Sequence, residues 1–273
     1  MTSAVPAGAK LHRDVPYVAG GGECQRLDLY LPARTTGVPL VVWIHGGMWS
    51  TGSKTDNVPL WLLDEGYAVA SIDYRLSGEA AFPAQIEDCR GAVRWLRAHA
   101  AEYGIDSERI AAWGESAGGH LAAMLGTTAN AAVFDAGDTT GASSRVQAVI
   151  DFFGPSDFLQ MDAHRLAGGS VHDSPDSPES RVIGGPVQDN QKMVARANPI
   201  AYVSGDAPPF LIVHGDSDPL VPHHQSELLA SALQGAGVPV TFYTVKGGGH
   251  GRFTDPALPK LVKQFLAEWL RVA

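Results

Sequence analysis

The feature that most constrains this chain is a strand that turns into a helix around residue 116. Residues 110–113 are apolar and fit a buried strand, residues 114–118 read Gly-Glu-Ser-Ala-Gly, and the small residues that follow can begin a helix. A G-x-S-x-G turn between a strand and a helix is typical of a nucleophile elbow, in which a strained turn lifts one serine above the edge of a sheet. The pattern therefore predicts that Ser116 is an exposed nucleophile.

The two glycines of this turn have a steric role. The helix and the neighbouring strands approach the turn so closely that side chains at Gly114 and Gly118 would collide with them. A helix that begins directly after Ser116 also brings unpaired N–H groups and a partial positive charge, which suit an anionic intermediate. The chain has 31 glycines, so the motif alone could arise by chance. The strand before it and the helix after it favour the functional interpretation.

Apolar strand segments alternate with helical segments along most of the chain. The strand segments are residues 27–31, 40–44, 67–72, 146–153, 210–213 and 240–245, and the helical segments are 60–65, 83–104, 226–233 and 259–270. The alternation of apolar and polar residues in 26–31 indicates a half-buried strand near a sheet edge. Parallel strands need helical crossovers, which cover the sheet. We therefore expect an α/β fold with a mainly parallel, twisted sheet and helices on both faces.

One long stretch departs from this order. Between residues 160 and 209 the apolar periodicity loosens, and Gly, Ser, Pro and Asp are dense around residues 168–189. A long irregular stretch inside a compact fold is usually a lid or a binding loop. Because the chain has 273 residues and no internal repeat or linker, we expect a single domain over residues 1–273, with 160–209 as a lid or substrate-binding insertion.

The composition limits the classes of partner. Hydrophobic residues make up 45% of the chain, charged residues make up 18%, and the formal net charge is −9. These fractions of hydrophobic and charged residues are ordinary for a folded protein. The negative net charge and the lack of a Lys or Arg cluster argue against nucleic acid as a partner and favour a small neutral substrate. The first ten residues lack a secretory pattern and no run is long enough to span a bilayer. We therefore expect a cytoplasmic location and no membrane partner. In that location Cys24 and Cys89 should be reduced thiols. The sequence does not indicate the oligomeric state.

A nucleophilic serine needs a carboxylate and a histidine, which follow it in that order in folds with a nucleophile elbow. The acid should lie in a loop at the carboxyl end of a later strand, where open α/β sheets place their sites. The strand at residues 210–213 leads into a loop that offers Asp216 and Asp218. We prefer Asp218, because an aspartate such as Asp216 in a Gly-rich turn commonly bonds its own backbone.

Three histidines follow Asp218 in the chain and could act as the base. His223 and His224 stand at the start of a probable helix, too close in sequence to reach back to the acid. His250 lies in a glycine-rich loop directly after the strand at residues 240–245, at the same sheet edge as the elbow. His250 is therefore the predicted general base.

Residues 45–49, with the sequence His-Gly-Gly-Met-Trp, follow an early buried strand. A glycine-rich loop at this position supplies backbone donors for an oxyanion. We expect the N–H groups of Gly47, Met48 and Ala117 to converge on the developing charge, with Gly46 as a further motif glycine. A methionine can replace a third glycine here because the donors belong to the main chain, provided that its side chain points away. We interpret His45 as a structural residue.

Together these motifs resemble the α/β-hydrolase superfamily, and within it the small serine esterases related to hormone-sensitive lipase and to bacterial feruloyl esterases. The resemblance rests on residues 43–47, 73–76, 114–120, 214–218 and 249–250. It is specific for the superfamily rather than for a substrate. It implies that Asp73, Arg75 and Asp88 are structural polar residues beneath the site. Larger relatives carry a cap before the oxyanion loop, which begins here at residue 45, so we expect an open pocket covered mainly by residues 160–209.

The reaction expected from this set is hydrolysis of small carboxylic esters, with short acyl or aromatic-acid groups, through an acyl-enzyme. The same groups cleave amides, so an amidase, a peptidase or an arylformamide hydrolase stays open; a non-catalytic binding protein on the same scaffold is a further alternative. No cofactor or metal is expected, since no His/Cys/Glu cluster has ligand spacing. The candidate pocket walls, each of which could equally belong to the core, are Trp49, Glu115, Phe152, Phe153 and Leu220.

Overall fold

The computed structural model describes residues 5–34, 36–135 and 141–270. Within these residues the strands are β1 Lys10–Pro16, β2 Arg26–Leu31, β3 Val38–Ile44, β4 Ala68–Ile72, β5 Ile105–Glu115, β6 Ala148–Phe152, β7 Phe210–Gly215 and β8 Val240–Val245. The α-helices are α1 Ala84–Ala98, α2 Ala100–Tyr103, α3 Ala117–Thr127, α4 Met161–His164, α5 Pro178–Ile183, α6 Gln191–Ala197, α7 His224–Gly235 and α8 Ala257–Leu270. Short 3₁₀ helices cover Leu60–Leu63, Ala132–Phe134, Phe158–Gln160 and Pro199–Tyr202.

The strands form one sheet in the order β1-β2-β4-β3-β5-β6-β7-β8. β2 pairs antiparallel with both β1 and β4, and every other neighbouring pair is parallel. The carboxyl ends of β3, β5, β7 and β8 therefore lie along one rim of the sheet. This arrangement confirms the predicted mainly parallel sheet and gives the loops that follow those strands a common position.

The central strands are buried on both faces because each contributes side chains to two separate cores. On β3, Val42 belongs to the core beneath α1, α3 and α7, whereas Trp43 belongs to the core beneath α8. On β5, Ala112 and Trp113 divide in the same way, and the two tryptophan rings meet edge to face at 5.4 Å. The period of two along a strand thus explains why the sequence shows continuous apolar runs here rather than alternation. Helices cover both faces, as predicted.

Residues 26–31 form a strand near the sheet edge, as predicted, but the prediction that this strand is half-buried is wrong, because five of its six residues are buried. β2 is covered by an additional strand, β1, whose polar sequence gave no strand pattern. On β2, Asp28 is buried and accepts a hydrogen bond from the N–H of Asp14 at 2.9 Å, while Lys54 Nζ lies 3.8 Å away. In the sequence, Asp28 therefore looks like a solvent-exposed position of an alternating strand, although it is buried with polar partners.

Residues 160–209 contain three short α-helices and a 3₁₀ helix rather than irregular chain. Side-chain caps explain why such short helices form: Ser177 accepts a hydrogen bond from the N–H of Ser180, and Asn198 accepts one from Ile200. Each cap precedes a proline, at positions 178 and 199, whose fixed φ suits the first turn of a helix. A periodicity analysis misses helices of four to seven residues because they span fewer than two turns.

Two expectations about the environment of the chain can be compared with this structure. Cys24 and Cys89 are both free thiols, and Cys89 is fully buried in α1. None of the helices in the described ranges combines the length and the apolar character that crossing a membrane requires.

Asp151 is a buried carboxyl on β6, next to the first turn of α3. A Cβ added to Gly119 would collide with its Oδ1 atom, which accepts a hydrogen bond from the N–H of Gly154 at 2.9 Å. Its Oδ2 atom has no hydrogen-bond partner among the described residues. Burial raises the pKa of Asp151 to about 6, against the single N–H bond that favours the charged form.

We expect Asp151→Asn to stabilise the protein at alkaline pH. Because the folded pKa lies above the unfolded value, Asp151 contributes stability below the unfolded pKa and loses it as the pH rises through about 6. The amide keeps the acceptor for Gly154 and carries no charge, so its advantage should approach about 3 kcal/mol at pH 8. Urea unfolding of both proteins from pH 4 to pH 8 measures this difference. An advantage that stays constant over that range would contradict the assignment of a raised pKa.

Candidate active site

Ser116 occupies a strained turn between β5 and α3. Its φ is 56° and its ψ is −120°, a combination that residues other than glycine rarely adopt. The turn is held on both sides: the N–H of Ser116 donates to Phe152 O at 2.8 Å, and the N–H of His120 donates to Ser116 O at 3.0 Å. This geometry presents the serine hydroxyl at the carboxyl end of β5 and starts a helix directly behind it.

The glycines around Ser116 leave space for the backbone of neighbouring elements. A Cβ on Gly114 would collide with Gly118 O, and a Cβ on Gly118 would collide with Ile44 O at the end of β3. Both obstacles are backbone atoms, which cannot rotate away. A Cβ on Gly46 would lie 3.3 Å from Ser116 Cβ. The elbow and the loop after β3 therefore pack backbone against backbone, which is the close approach that the motif predicted.

The structure brings Ser116, His250 and Asp218 together at this rim. Ser116 Oγ lies 2.9 Å from His250 Nε2, and His250 Nδ1 lies 2.7 Å from Asp218 Oδ2. The hydroxyl can donate to Nε2 while the Nδ1–H donates to the carboxylate. Three loops, which follow β5, β7 and β8, supply these residues. Parallel strands that end at one rim thus join positions that are 134 residues apart in the chain.

Asp218 is held by donors on both of its oxygens. Oδ1 accepts the N–H groups of Leu220 at 2.8 Å and Val221 at 3.0 Å, and Oδ2 also accepts from His214 Nε2 at 3.2 Å. Burial alone would raise the pKa of Asp218. The hydrogen bonds from His214 and His250 outweigh it and hold that pKa well below its usual range. The carboxylate therefore stays ionised while fully buried.

The residues set aside on sequence grounds have other partners. Asp216 accepts the N–H of Gly247 at 2.7 Å and lies 3.2 Å from Lys246 Nζ, so it joins the loops that follow β7 and β8. His223 Nε2 lies 3.0 Å from Thr244 Oγ1. His224 stacks on His164 with ring centroids 3.5 Å apart. Neither histidine is among the partners of Asp218 or Ser116.

The loop after β3 has the backbone of an anion-binding turn. Gly47, Met48 and Trp49 all have positive φ, at 107°, 56° and 54°. No backbone carbonyl of the described residues accepts a hydrogen bond from the N–H of Gly47, Met48 or Ala117. Met48 is 51% exposed, and it borders the cavity that contains Ser116. Met48 and Ala117 line the same cavity as Ser116, whereas Gly47 lines a neighbouring cavity with Thr51 and Gly52.

Two buried histidines fix the position of this loop. His45 stacks on Tyr74 with ring centroids 4.4 Å apart, and its Nδ1 lies 2.7 Å from Gly46 O. His120 Nδ1 accepts the indole N–H of Trp49 at 3.3 Å, and its Nε2 lies 2.7 Å from Ala197 O. Burial lowers the pKa of His120 to about 4, which keeps the ring neutral. The imidazole of His120 thus connects the loop after β3, helix α3 and the 160–209 segment.

A cavity of about 290 Å³ lies against Ser116 and His250. It is lined by the elbow, the oxyanion loop, the loop after β7 and the 160–209 segment; the lining residues are Met48, Trp49, Ser116, Ala117, Pro155, Ser170, Val171, His172, Pro178, Glu179, Leu220, Val221 and His250. Trp49 and Leu220, both predicted as pocket walls, are among them. Sequence reasoning missed His172 and Glu179, since no motif surrounds them and they reach the cavity through tertiary packing.

Glu115, Phe152 and Phe153 do not line this cavity, which corrects the prediction for these three. They line a separate cavity of about 430 Å³ that α8 borders. Glu115 and Phe152 are paired across β5 and β6, and the period of two puts them on the same face as Trp113, toward α8. Phe153 packs edge to face on His250 with centroids 4.7 Å apart and therefore supports the imidazole from that side.

The three polar residues that the resemblance placed beneath the site form structural bonds. The Arg75 guanidinium holds Asp88, with Nη2 2.8 Å from Oδ1, and the Arg75 N–H donates to the same carboxylate at 2.8 Å. Asp73 accepts the N–H of Lys54 at 2.7 Å and lies 3.3 Å from its Nζ. The resemblance-based interpretation agrees with these contacts.

Comparison with known proteins gives a consistent result. The family model described as BD-FAE matches residues 27–233. Esterase LipQ of Mycobacterium tuberculosis is 31% identical over 270 residues, which cover 95% of this chain, and an arylesterase of Saccharolobus solfataricus is 30% identical over 258 residues, covering 90% of this chain and 78% of that protein. Among solved structures, a truncated carbohydrate esterase from gut microbiota superposes with a TM-score of 0.89 at 33% identity, covering 96% of this chain and 97% of that one.

The matched proteins differ from this chain in length. The chain spans about three fifths of the length of the mycobacterial esterases that it matches, at 62%, 57% and 58%. The solved carbohydrate esterase, by contrast, is covered almost end to end. The match to that structure covers 96% of this chain, whereas the family-model match ends at residue 233, before β8.

Proposed function

The chain belongs to the BD-FAE family, with the α/β-hydrolase fold, and from that premise we propose that it is a serine carboxylesterase that hydrolyses small carboxylic esters through a covalent acyl-enzyme. The observation that carries this proposal is the hydrogen-bonded series from Ser116 Oγ through His250 to Asp218, with spacings of 2.9 Å and 2.7 Å. The names of the relatives, which include esterases and an arylesterase, agree with it.

In the proposed mechanism His250 Nε2 takes the proton of Ser116 as its Oγ attacks the ester carbonyl. The imidazolium then protonates the leaving alcohol, which leaves the acyl group on Ser116. In the second half, His250 removes a proton from water, water attacks the acyl carbonyl, and the proton returns to Ser116 Oγ. Asp218 keeps Nδ1 protonated, so that Nε2 is free to accept, and stabilises the positive charge on the ring.

Charge on the carbonyl oxygen would be stabilised by the backbone donors of the two adjoining loops. The N–H groups of Gly47, Met48 and Ala117 are the proposed oxyanion hole, and each such donor is worth about 10²–10³ in rate in enzymes of this type. The positive φ values of 107° at Gly47 and 56° at Met48 support this assignment, because successive residues in such conformations can turn their N–H groups toward one anion.

The cavity beside Ser116 supports a small substrate. Its volume of about 290 Å³ suits a short acyl chain or one ring rather than a long lipid chain. We propose residues 160–209 as its cover, since Ser170, Val171 and Pro178 form part of the wall. The residues proposed for the reaction need no cofactor, and the cytoplasmic location expected from the sequence stays a prediction.

An active-site-directed fluorophosphonate tests this proposal directly. The reagent should form one covalent adduct, and peptide mass spectrometry should place it on the peptide that contains Ser116. Labelling should require the folded protein and should stop after urea denaturation, because the activated hydroxyl depends on His250. A protein that stays unlabelled would favour a non-catalytic binding function on the same scaffold.

The ester assignment itself is tested with a matched pair of chromogenic substrates. We expect 4-nitrophenyl acetate to be hydrolysed with a kcat/KM at least 100-fold above that for 4-nitroacetanilide, which carries the same acyl group on an amide nitrogen. Equal or faster cleavage of the anilide would instead indicate an amidase or an arylformamide hydrolase that uses the same three residues.

A further inference from the structure

The cavity of about 430 Å³ that helix α8 borders, here called the α8 cavity, takes no part in the proposed mechanism. It nevertheless lies close to the reaction centre. Glu115 stands in its wall and directly precedes Ser116, and Phe153, also in its wall, packs on His250 with ring centroids 4.7 Å apart. At this volume the α8 cavity can hold a small organic molecule.

Aromatic rings form a continuous series along the wall of the α8 cavity. The series runs from Trp61 through Trp113, Phe152 and Phe153 to Phe253, with neighbouring centroids between 5.3 and 6.3 Å apart and neighbouring ring planes inclined by 50° to 86°. Trp61, Phe152 and Phe253 are only partly buried, so a ligand can reach them. Rings at such angles border a rounded space, whereas a flat ligand needs a slot between parallel faces.

Glu115 adds one carboxylate oxygen that is open to the α8 cavity. Its Oε1 accepts a hydrogen bond from Asn57 Nδ2 at 2.6 Å. Its Oε2 has no hydrogen-bond partner among the described residues, and it is not one of the partnerless polar atoms that are closed off from solvent. Burial of the side chain raises the pKa of Glu115, against the hydrogen bond from Asn57 that lowers it. The charged form therefore lacks compensation that a ligand can supply.

The other charged groups of the wall leave the α8 cavity with an excess of negative charge. Asp255 accepts hydrogen bonds from the hydroxyl of Tyr243 at 2.6 Å and from the N–H of Ala257 at 2.9 Å, which hold the pKa of Asp255 below its usual range. Among the described residues of the wall, Arg252 alone carries a positive charge, and this residue is exposed, so that water and salt screen its guanidinium. Two carboxylates thus stand against one screened cation.

These features together favour one class of ligand group. Aromatic faces attract a cation through their quadrupole, and the ring of Trp61 already contacts one ammonium group, since Lys263 Nζ lies 5.5 Å from its centroid. Glu115 and Asp255 would repel an anion, and a neutral group would leave the charge on Glu115 without compensation. A rounded cation, such as a trimethylammonium group, suits both the steeply inclined rings and the free carboxylate oxygen.

We propose that the α8 cavity binds an alkylammonium group, with Glu115 as its counter-charge and the rings of Trp61, Phe152 and Phe253 as its walls. This site goes beyond the proposed esterase function, because binding there needs neither Ser116 nor its base. The cation belongs either to a separate small molecule or to the alcohol part of an ester that reacts at Ser116; the second source rests on the proposed esterase function. Both sources present the same chemical group to the cavity, and kinetic measurements distinguish them.

Binding of choline and of 3,3-dimethylbutan-1-ol tests the proposal on the wild-type protein. The two alcohols have the same shape, but choline has a quaternary nitrogen where the other has a quaternary carbon. We expect choline to bind at least about tenfold more tightly, as measured by isothermal titration calorimetry at low ionic strength. Equal affinities, a preference for the neutral alcohol, or binding of neither compound would overturn the proposal.

Variants show whether the preference depends on the α8 cavity. Glu115→Gln keeps the volume and an acceptor for Asn57 but removes the charge, so the affinity for choline should fall by about tenfold while that for the neutral alcohol stays the same. Phe253→Leu removes one aromatic face and should lower the affinity for choline by about threefold or more; this variant serves if the glutamine variant does not fold. Glu268→Gln, which removes a carboxylate from the exposed surface of α8, is the matched control and should leave both affinities unchanged.

Two outcomes of the variant measurements count against the site. If Glu115→Gln and Phe253→Leu both leave the affinity for choline unchanged, choline binds elsewhere and the proposal is overturned. If Glu115→Gln lowers the affinities for choline and for the neutral alcohol equally, the effect of the substitution is merely structural, and the proposal is overturned as well.

A matched pair of esters identifies the source of the cation. If it is the alcohol part of an ester, kcat/KM for acetylcholine should exceed that for 3,3-dimethylbutyl acetate by at least about tenfold, and Glu115→Gln should abolish this difference. A ratio near one, combined with preferential binding of choline, assigns the site to a separate small molecule. The binding measurements do not depend on turnover. If the protein hydrolysed neither ester nor 4-nitrophenyl acetate, the esterase function would fail, while the binding of choline would still decide the cation site.

Discussion

Ser116→Ala is expected to lower kcat for 4-nitrophenyl acetate by about 10⁴- to 10⁶-fold. The hydroxyl is the only proposed nucleophile, and without it water must attack the ester with help from the oxyanion donors alone. We expect the substitution to leave the fold intact, because a positive φ of 56° strains the backbone of alanine and serine alike. Among the described residues, the lost Oγ is hydrogen-bonded to His250 Nε2, at 2.9 Å, and to no other residue. Steady-state kinetics and a thermal unfolding curve measure the two effects separately.

The matched control for this variant is Ser231→Ala, on the exposed surface of α7. It should keep full activity and full labelling by the fluorophosphonate, whereas Ser116→Ala should not be labelled at all. An alanine variant at position 116 that retains more than a tenth of the wild-type kcat would show that another group attacks the ester. The proposed mechanism would then be wrong.

The sequence was sufficient to predict the elbow, the sheet and the hydrogen-bonded set of Ser116, His250 and Asp218, because each has a local or topological cause. The steric need for glycine at positions 114 and 118 follows from the turn itself, and a Cβ at either would collide with backbone atoms. Asp218 and His250 lie close together because they follow β7 and β8, two paired parallel strands whose carboxyl ends lie at the same edge of the sheet. These inferences needed only chain order and strand direction, both of which the sequence contains.

The parts that could not be predicted depend on packing between distant segments. β1 has a polar sequence and is a strand only because β2 offers it a partner. Glu115 was expected in the substrate pocket, but the alternation of side chains along β5 turns it toward the face that α8 covers. His172 and Glu179 reach the cavity through a segment of short helices whose caps give no sign of where the segment docks.

The docking of that segment has a consequence for the reaction centre. His120 follows the elbow in α3, and its two ring nitrogens join Trp49 of the oxyanion loop to Ala197 at the end of α6. One neutral imidazole therefore joins the proposed cover of the cavity to the loop that carries two of the proposed oxyanion donors. A displacement of the 160–209 segment would reach the loop after β3 through this connection, so the proposed cover also bears on the position of those donors.

Asp218→Asn is expected to lower kcat by about 10⁴-fold while leaving the protein folded. Asp218 Oδ1 accepts two backbone N–H groups, from Leu220 and Val221, so the asparagine oxygen should stay there and its NH₂ group should take the place of Oδ2. That NH₂ group faces the Nδ1 of His250, which must then become an acceptor and move its proton to Nε2. In this tautomer His250 cannot take the proton of Ser116.

Asp216→Asn provides the matched control for this substitution, two residues earlier in the same loop. Its Oδ1 accepts the N–H of Gly247 at 2.7 Å, a bond that an asparagine oxygen preserves. We therefore expect kcat to change by less than about tenfold, since only the charge near Lys246 is lost. Because Asp216 was the competing candidate on sequence grounds, the pair of variants decides between the two carboxylates. If Asp216→Asn abolished activity while Asp218→Asn did not, the orientation of His250 would have to come from the other aspartate, and the roles proposed for this loop would be wrong.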